Sequence, residues 1–447
     1  MDQGAHNKIN VLELNSSFAY AGGARNLYSF CQYLDKNIFN VWAASHANGG
    51  SGEEILKSQG VEYILGKGDP FKIVNFIKDK KIDILHFHRS GQYIPVESKI
   101  INLAKEAFPN LIIIERNVFG KFDPSCNEKI DCHLFQSMMH LHERFLPLAK
   151  EVFDFKKMQV MYNMVNVEDF EKYRLDKEKI KEYKALLGIR ETDFVIGKIA
   201  RPHIAKWSDL VLEMMPYLVK DVPNLKFIIM GVPKSRIEVI NRSKLKAHYI
   251  LLNETTDESI IHKFYQTIDV LAHSSKIGEC NGNTINEAMF WGKPVVVNST
   301  PRRDNGQLEQ LTHMKDGIVA NHPQTFARAI AYLCNDEVAR KEMGEKARKR
   351  ILFFNNPNKV IKQLEAVFIE RFNKIGGLFY GNVLERSLYY PNEEGISNYP
   401  VEYHRRLIWD FGVLSVWEKV VNFFKKPKYI YYKIKDFLED KHVLNYE

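Results

Sequence analysis

At 447 residues the chain is too long for one ordinary domain, so two or three are expected. Hydrophobic residues at 45% and charged residues at 26% are ordinary globular values and exclude a disordered chain. A formal charge of +8 favours anionic partners such as phosphates, nucleotides or an acidic membrane surface. Spread over this length it falls short of a nucleic-acid signature, so no nucleic acid is expected as a partner.

Cysteines 31, 126, 132, 280 and 334 are scattered, with no C-x-x-C pair, which argues for a reducing, cytoplasmic compartment rather than a disulfide framework or zinc site. The start, MDQGAHNKIN, has no basic segment followed by an apolar run, so no signal peptide is expected. No stretch approaches the roughly 18 apolar residues of a membrane span. The N-x-S/T matches at Asn15, Asn253 and Asn298 are then incidental.

Along the chain, short Val/Ile/Leu-rich runs alternate with helix-period segments. Runs at 9–14, 41–44, 61–65, 82–88, 111–115, 132–137 and 159–163 read as strands, with helical stretches such as 27–34 and 99–107 between them. Runs apolar on both faces indicate parallel strands covered by helices. The stretch 166–192 is rich in Lys and Glu and contains no strand run. The rhythm restarts at 193–200, 225–231, 248–253, 269–274, 293–298 and 317–321. Two series of βα units predict an α/β protein of two Rossmann-like, doubly wound domains facing across a cleft. The expected division is 1–165, a linker at 166–192, a second domain at 193–370, and a helical extension at 371–447. Ligands in such sheets sit at the carboxyl ends of strands, so the loops there are searched for chemistry.

After the first strand, NSSFAYAGGARNLYSF (15–30) places Gly22 and Gly23 before a helix, where backbone can approach an anion and helix amides can meet it. A tight strand-to-helix turn is the plainer reading. No G-x-G-x-x-G fingerprint occurs, which counts against a dehydrogenase. In the second series, IGKIARPHIAKWSDL carries Arg201 and Lys206 at a strand's carboxyl end, two cations suited to a diphosphate. Solvated loop charge is the alternative.

The stretch SSKIGECNGNTINEAMFWGKPVVVNS (274–299) holds Glu279 and Glu287 with no other charge between them. As continuous helix the two would stand roughly 12 Å apart and about 80° out of phase. With a turn between, and a helix capped by Asn283 or Thr284, they can face opposite ends of one elongated ligand. Carboxylates at the ends accept from sugar and ribose hydroxyls, while the amides of Gly282, Asn283 and Thr284 meet a diphosphate between them. That set describes a nucleotide-sugar site. A helix-dipole glutamate with a stray loop acid is the alternative.

These segments resemble a family 4 retaining glycosyltransferase of the GT-B fold. Glu279 and Glu287 match its E-x7-E motif, ARPHIAK its Arg-x-x-x-x-Lys motif, and MYNMVNVEDF (161–170) its Asn-containing interdomain segment. The resemblance covers about residues 8–370 and is stronger in the second domain. It implies that Glu279 contacts the donor sugar near its anomeric carbon, that Glu287 holds the ribose, and that Arg201 and Lys206 neutralise the leaving diphosphate. Glu279, Arg201 and Lys206 are thus the catalytic set, with Gly22, Gly23, Gly231, Gly282, Asn283, Thr284 and Glu287 completing the donor site. The implied reaction moves a hexose from a nucleotide-diphosphate sugar, UDP-sugar favoured, to a glycan, lipid-linked or protein acceptor, in cell-surface polysaccharide, glycolipid or glycoprotein synthesis.

Two departures concern the pattern. Cys280-Asn281-Gly282-Asn283 stands where the family often has Phe-Gly, and Arg116 in ERNVFG replaces a common histidine. His88, with Arg116 and Asn117, is the candidate acceptor set. No D-x-D dyad occurs, and a metal-bridged diphosphate needs clustered carboxylates, so no metal and no cofactor beyond the donor substrate is expected. From Lys419 to Lys435 the tail carries six lysines, five aromatics and no acid, which suits peripheral contact with an anionic membrane or, more plainly, packing across the domains. An epimerase or phosphorylase on the same fold, and a non-catalytic binding module, remain the rival readings.

Overall fold

The computed structural model describes residues 8–19, 22–139, 157–300 and 303–374. Seven strands, β1 (Ile9–Ser17), β2 (Phe39–Asn48), β3 (Tyr63–Leu65), β4 (Ile84–Arg89), β5 (Ile112–Asn117), β6 (Cys132–Phe135) and β7 (Met158–Val160), form one parallel sheet in the order β3-β2-β1-β4-β5-β6-β7. Six more, β8 (Phe194–Ile199), β9 (Leu225–Met230), β10 (Tyr249–Leu252), β11 (Val270–His273), β12 (Val295–Val297) and β13 (Ile318–Val319), form a second in the order β10-β9-β8-β11-β12-β13. Every strand run expected from the sequence is there. The reason is visible in β4, β5 and β8, buried along their whole length because helices cover both faces.

In each sheet the first strand lies between its successor and a later strand: β1 between β2 and β4, β8 between β9 and β11. That is the switch point where the flanking connections part and leave a crevice at the carboxyl ends. The second sheet is packed on one side by Trp207, Met214, Leu218 and Phe326, and on the other by Phe264, Ile285, Phe290 and Ile351.

The chain crosses between the two sheets twice, and the crossings are tied together. Asn355 Nδ2 donates to Asn163 O at 2.7 Å, and Val165 N donates to Asn355 O at 2.9 Å. After the second crossing, helix Pro357–Lys374 returns to the first sheet. Its stripe of Val360, Ile361, Leu364, Val367 and Phe368 is buried against Ile9, Phe39 and Ile84. The unit expected at 193–370 therefore loses its last helix to the other domain, because an apolar stripe packs on whichever face remains uncovered. The expected linker contains helices Val167–Glu171 and Lys177–Leu186, capped by Asn166 and Asp176.

Beyond Lys374 the expected extension, with its basic aromatic run, lies outside the described residues. Among the described residues no helix is long and apolar enough to cross a membrane.

Candidate active site

After β11 the chain makes a loop whose backbone is clamped from several sides. Lys198 Nζ, from β8, donates to Ser274 O at 2.6 Å, and Ser275 N donates to Asn298 Oδ1 at 2.9 Å. Gly278 has φ +73°, and a Cβ there would collide with Asp304 O, so the position demands glycine. Glu279 N donates to Gln307 Oε1 at 2.9 Å while Gly306 N donates to Glu279 O at 2.7 Å. With its backbone held on both sides, Glu279 has only its side chain left to face the cleft.

That side chain sits between an ammonium and an imidazole. Lys206 Nζ lies 2.7 Å from Glu279 Oε2, and His273 Nε2 lies 3.4 Å from Oε1. Burial by itself would raise the Glu279 pKa, but Lys206 and His273 outweigh it and hold the carboxyl down at about 2. Beneath them Lys198 is fully buried, its ammonium 4.8 Å from the centre of the Trp207 ring. Burial lowers its pKa to about 7, with Lys206 adding to the shift and Glu279 opposing it. Arg201 follows β8 and is exposed at the rim of the same cleft. Gly231 ends β9 at φ +76°, where a Cβ would strike Ala200 O, so it lets the two strand ends close up.

The helix Asn283–Phe290 starts differently from expectation. Gly282, not Asn283 or Thr284, is the N-cap, and no side chain caps the helix. Its N–H is already committed, donating to Gln310 Oε1 at 2.7 Å, so it is not open to a diphosphate. Asn283 and Thr284 line the cleft, and Thr284 Oγ1 stands 3.5 Å from His273 Nδ1. Asn163, at the first crossing, donates to Asn281 O at 2.9 Å and Asn283 Oδ1 at 2.8 Å, and accepts from Arg116 Nη2 at 2.7 Å.

Glu287 lies one turn into that helix. Tyr265 Oη donates to its Oε2 at 2.7 Å, and Arg25 Nη1 to its Oε1 at 2.7 Å. Arg25 belongs to helix Gly22–Tyr33, opened by the Gly22-Gly23 pair, and also pairs with Glu258. Glu279, Glu287, Arg201, Lys206 and Arg25 all line one cleft of about 680 Å³, joined on the first-domain side by Val118, Phe119 and Gln136.

The expected acceptor residues lie away from the cleft lining. His88, Arg116 and Asn117 are buried, at 4%, 1% and 0% exposure, and none of them lines the cleft. His88 Nε2 donates to Glu13 Oε2 at 2.7 Å, and His86 Nδ1 to Oε1 at 2.9 Å. Burial would raise the Glu13 pKa, but the two imidazoles hold it at about 2; burial drops His88 to about 4 against the pull of Glu13. Asn117 donates to Glu115 and to Lys121 O. The network is incomplete: His86 Nε2, His88 Nδ1 and Arg116 Nε and Nη1 are buried with no hydrogen-bond partner among the described residues.

Among the described residues, Glu13, His86 and His88 form the one group close enough to hold a cation. The carboxylate is already matched by two imidazole donors, and the group lies apart from the cleft lining.

Sequence reasoning missed Lys198, His273, Arg25 and Tyr265. The signal for Lys198 was a lysine inside the apolar run FVIGKI; for Arg25 it was the position two residues after Gly23. Tyr265 gave none, since a tyrosine on an amphipathic helix reads as core.

Comparison with known proteins bears on the family and the fold. Residues 179–350 match the family of glycosyl transferases group 1. The chain is 23% identical over 292 residues to the alpha-monoglucosyldiacylglycerol synthase of Acholeplasma laidlawii, covering 59% of this chain and 71% of that protein. It is 25% identical over 231 residues to the capsular polysaccharide biosynthesis glycosyltransferase CapM of Staphylococcus aureus, covering 49% and 56%. In fold it resembles a glycosyltransferase from Rickettsia africae (TM-score 0.68, 19% identity, 82% of this chain and 99% of that one). It also resembles Anabaena HepE solved with UDP (TM-score 0.66, 16% identity, 81% and 100%).

Proposed function

We propose that this chain, whose residues 179–350 carry a group 1 glycosyltransferase domain, is a family 4 enzyme that transfers a hexose from a nucleotide-diphosphate sugar to an acceptor hydroxyl with retention of configuration. The observation that carries the reading is the joint presence of Glu279, Glu287, Arg201 and Lys206 on one cleft. The UDP complex of Anabaena HepE supports a uridine donor.

In this mechanism Arg201 and Lys206 stabilise charge developing on the departing diphosphate, a preorganised electrostatic effect that needs no metal. Lys206 has three donors, so it can hold Glu279 with one and a phosphate oxygen with another. Glu279, ionised by its neighbours at any working pH, orients the donor sugar toward the acceptor side of the cleft. Glu287 retains lone pairs beyond those taken by Arg25 and Tyr265, and accepts from ribose hydroxyls. The acceptor, a glycan, a lipid-linked sugar or a protein, enters past Val118 and Phe119, the latter 41% exposed. The work belongs to cell-surface polysaccharide or glycolipid synthesis on the cytoplasmic side, peripheral to the membrane.

The test is incubation with UDP-, GDP- and ADP-hexoses and an acceptor panel in EDTA. Free nucleotide diphosphate should be released only when an acceptor is present, and the product linkage should keep the donor's anomeric configuration by NMR coupling constants. An inverted product overturns the reading. Sugar interconversion without an acceptor replaces it with an epimerase.

A further inference from the structure

Arg25 is carried by the first domain, yet its guanidinium ends among second-domain acids. It pairs with Glu287 at 2.7 Å and with Glu258. All three side chains are largely enclosed, at 22% exposure for Arg25, 6% for Glu287 and 15% for Glu258. Glu287 Oε2 accepts from Tyr265, while Glu258 Oε2 lies 3.2 Å from His262 Nε2 without a hydrogen bond between them. Arg25 and Glu287 line both the main cleft and a smaller cavity of about 180 Å³, so the pair forms the wall between them. The next residue, Asn26, donates to Asn163 Oδ1 at 3.3 Å, the side chain that also bonds Asn281 and Asn283. One helical turn of the first domain therefore grips both the glutamate and the start of its helix.

We propose that Arg25 is a positioning residue for the nucleotide: by bridging Glu287 and Glu258 it makes nucleotide affinity depend on the first domain. This rests on the reading of Glu287 as the ribose anchor. The electrostatics set the sign. One cation stands between two enclosed carboxylates, and in its absence their charges would be left uncompensated beside each other at the ribose end of the site. Like charges at such range in a partly dehydrated site repel strongly. The guanidinium's planar fork is what lets one side chain hold two carboxylates, a geometry an ammonium does not reproduce. If Arg25 instead merely occupied the ribose position, its removal would tighten binding.

Isothermal titration of the full chain with UDP, GDP and ADP tests this. Arg25→Met is expected to raise the Kd of whichever nucleotide binds by about tenfold or more, a change of about 1.4 kcal/mol per decade. Arg25→Lys, which keeps the charge, should fall between wild type and Arg25→Met. Adding Glu258→Gln to Arg25→Met should recover about a third or more of the lost decade, since it removes one of the exposed like charges. A residue that only supported packing would show no such rescue. If Glu287→Gln weakens nucleotide binding while Arg25→Met leaves it unchanged or tighter, the proposal is wrong and the ribose reading stands. If the wild-type chain binds none of the three, both are overturned.

Discussion

The carboxyl ends of the two sheets carry similar amounts of charge and put it to opposite use. At the second sheet, Lys206, Glu279 and Glu287 come off β8, β11 and the helix after it and line a cleft. At the first sheet, Arg89 on β4 and Glu115 on β5 are buried. Arg89 Nε donates to Glu97 Oε2 at 3.0 Å and Nη2 to Asp123 Oδ2 at 3.1 Å, with Glu115 Oε1 3.4 Å from Nη1. His133 Nδ1 faces the other Glu115 oxygen at 2.5 Å. Strand-end position alone therefore does not make a residue functional. What decides is whether the following loop opens toward the other domain or folds back over its own sheet.

The sharpest way to break this contrast is Arg89→Met. If the first-sheet network is structural, removing the one cation among three buried carboxylates should cost about 3–5 kcal/mol of stability by urea denaturation. The folded fraction should keep wild-type donor kinetics. Lost turnover at unchanged stability would put chemistry where only scaffolding is assigned.

Glu279→Gln should do the reverse. Turnover is expected to fall by about 100-fold or more, with donor KM within about threefold, because an orienting contact acts mainly in the transition state. Steady-state kinetics separates the two constants. A rise in KM alone would make Glu279 a binding residue like Glu287.

Arg201→Ala should lower kcat/KM for the donor by about tenfold, equally with and without EDTA. An effect restored by a divalent metal would mean that the cations share the diphosphate with an ion.

The last test concerns Lys198. Its folded pKa is depressed from 10.5 to about 7, so between those values the unfolded chain binds a proton that the folded chain does not. Stability should therefore rise with pH across that window, by at most about 1.4 kcal/mol per unit from this group, and the penalty is fully present below about 7. In Lys198→Met this component should vanish, visible as a flatter difference curve in urea midpoints between pH 7 and 10. An unchanged slope would mean that the amine stays charged, paired by Glu279.

Much of this was legible in the residue order. Apolar runs on both faces located all the strands of the two sheets, because burial on both sides is a local demand written into each strand. The interval from Glu279 to Glu287, and Arg201 with Lys206, were legible because charged residues at short spacing in strand-end loops stand out in the residue order. His88, Arg116 and Asn117 stood out by their strand-end positions, and only the tertiary structure shows them buried and off the cleft lining. The free amide expected of Gly282 was lost to Gln310, 28 residues later, a partner no local pattern reveals. By itself the sequence determined the two sheets and the acids and cations of the cleft loops, since periodicity and short spacing are local. Only the tertiary structure decided that helix Pro357–Lys374 returns to the first sheet, and that Arg25 reaches across to Glu287. Both are choices between surfaces far apart in the chain, made by whichever uncovered face or unpaired charge the folded domains bring within reach.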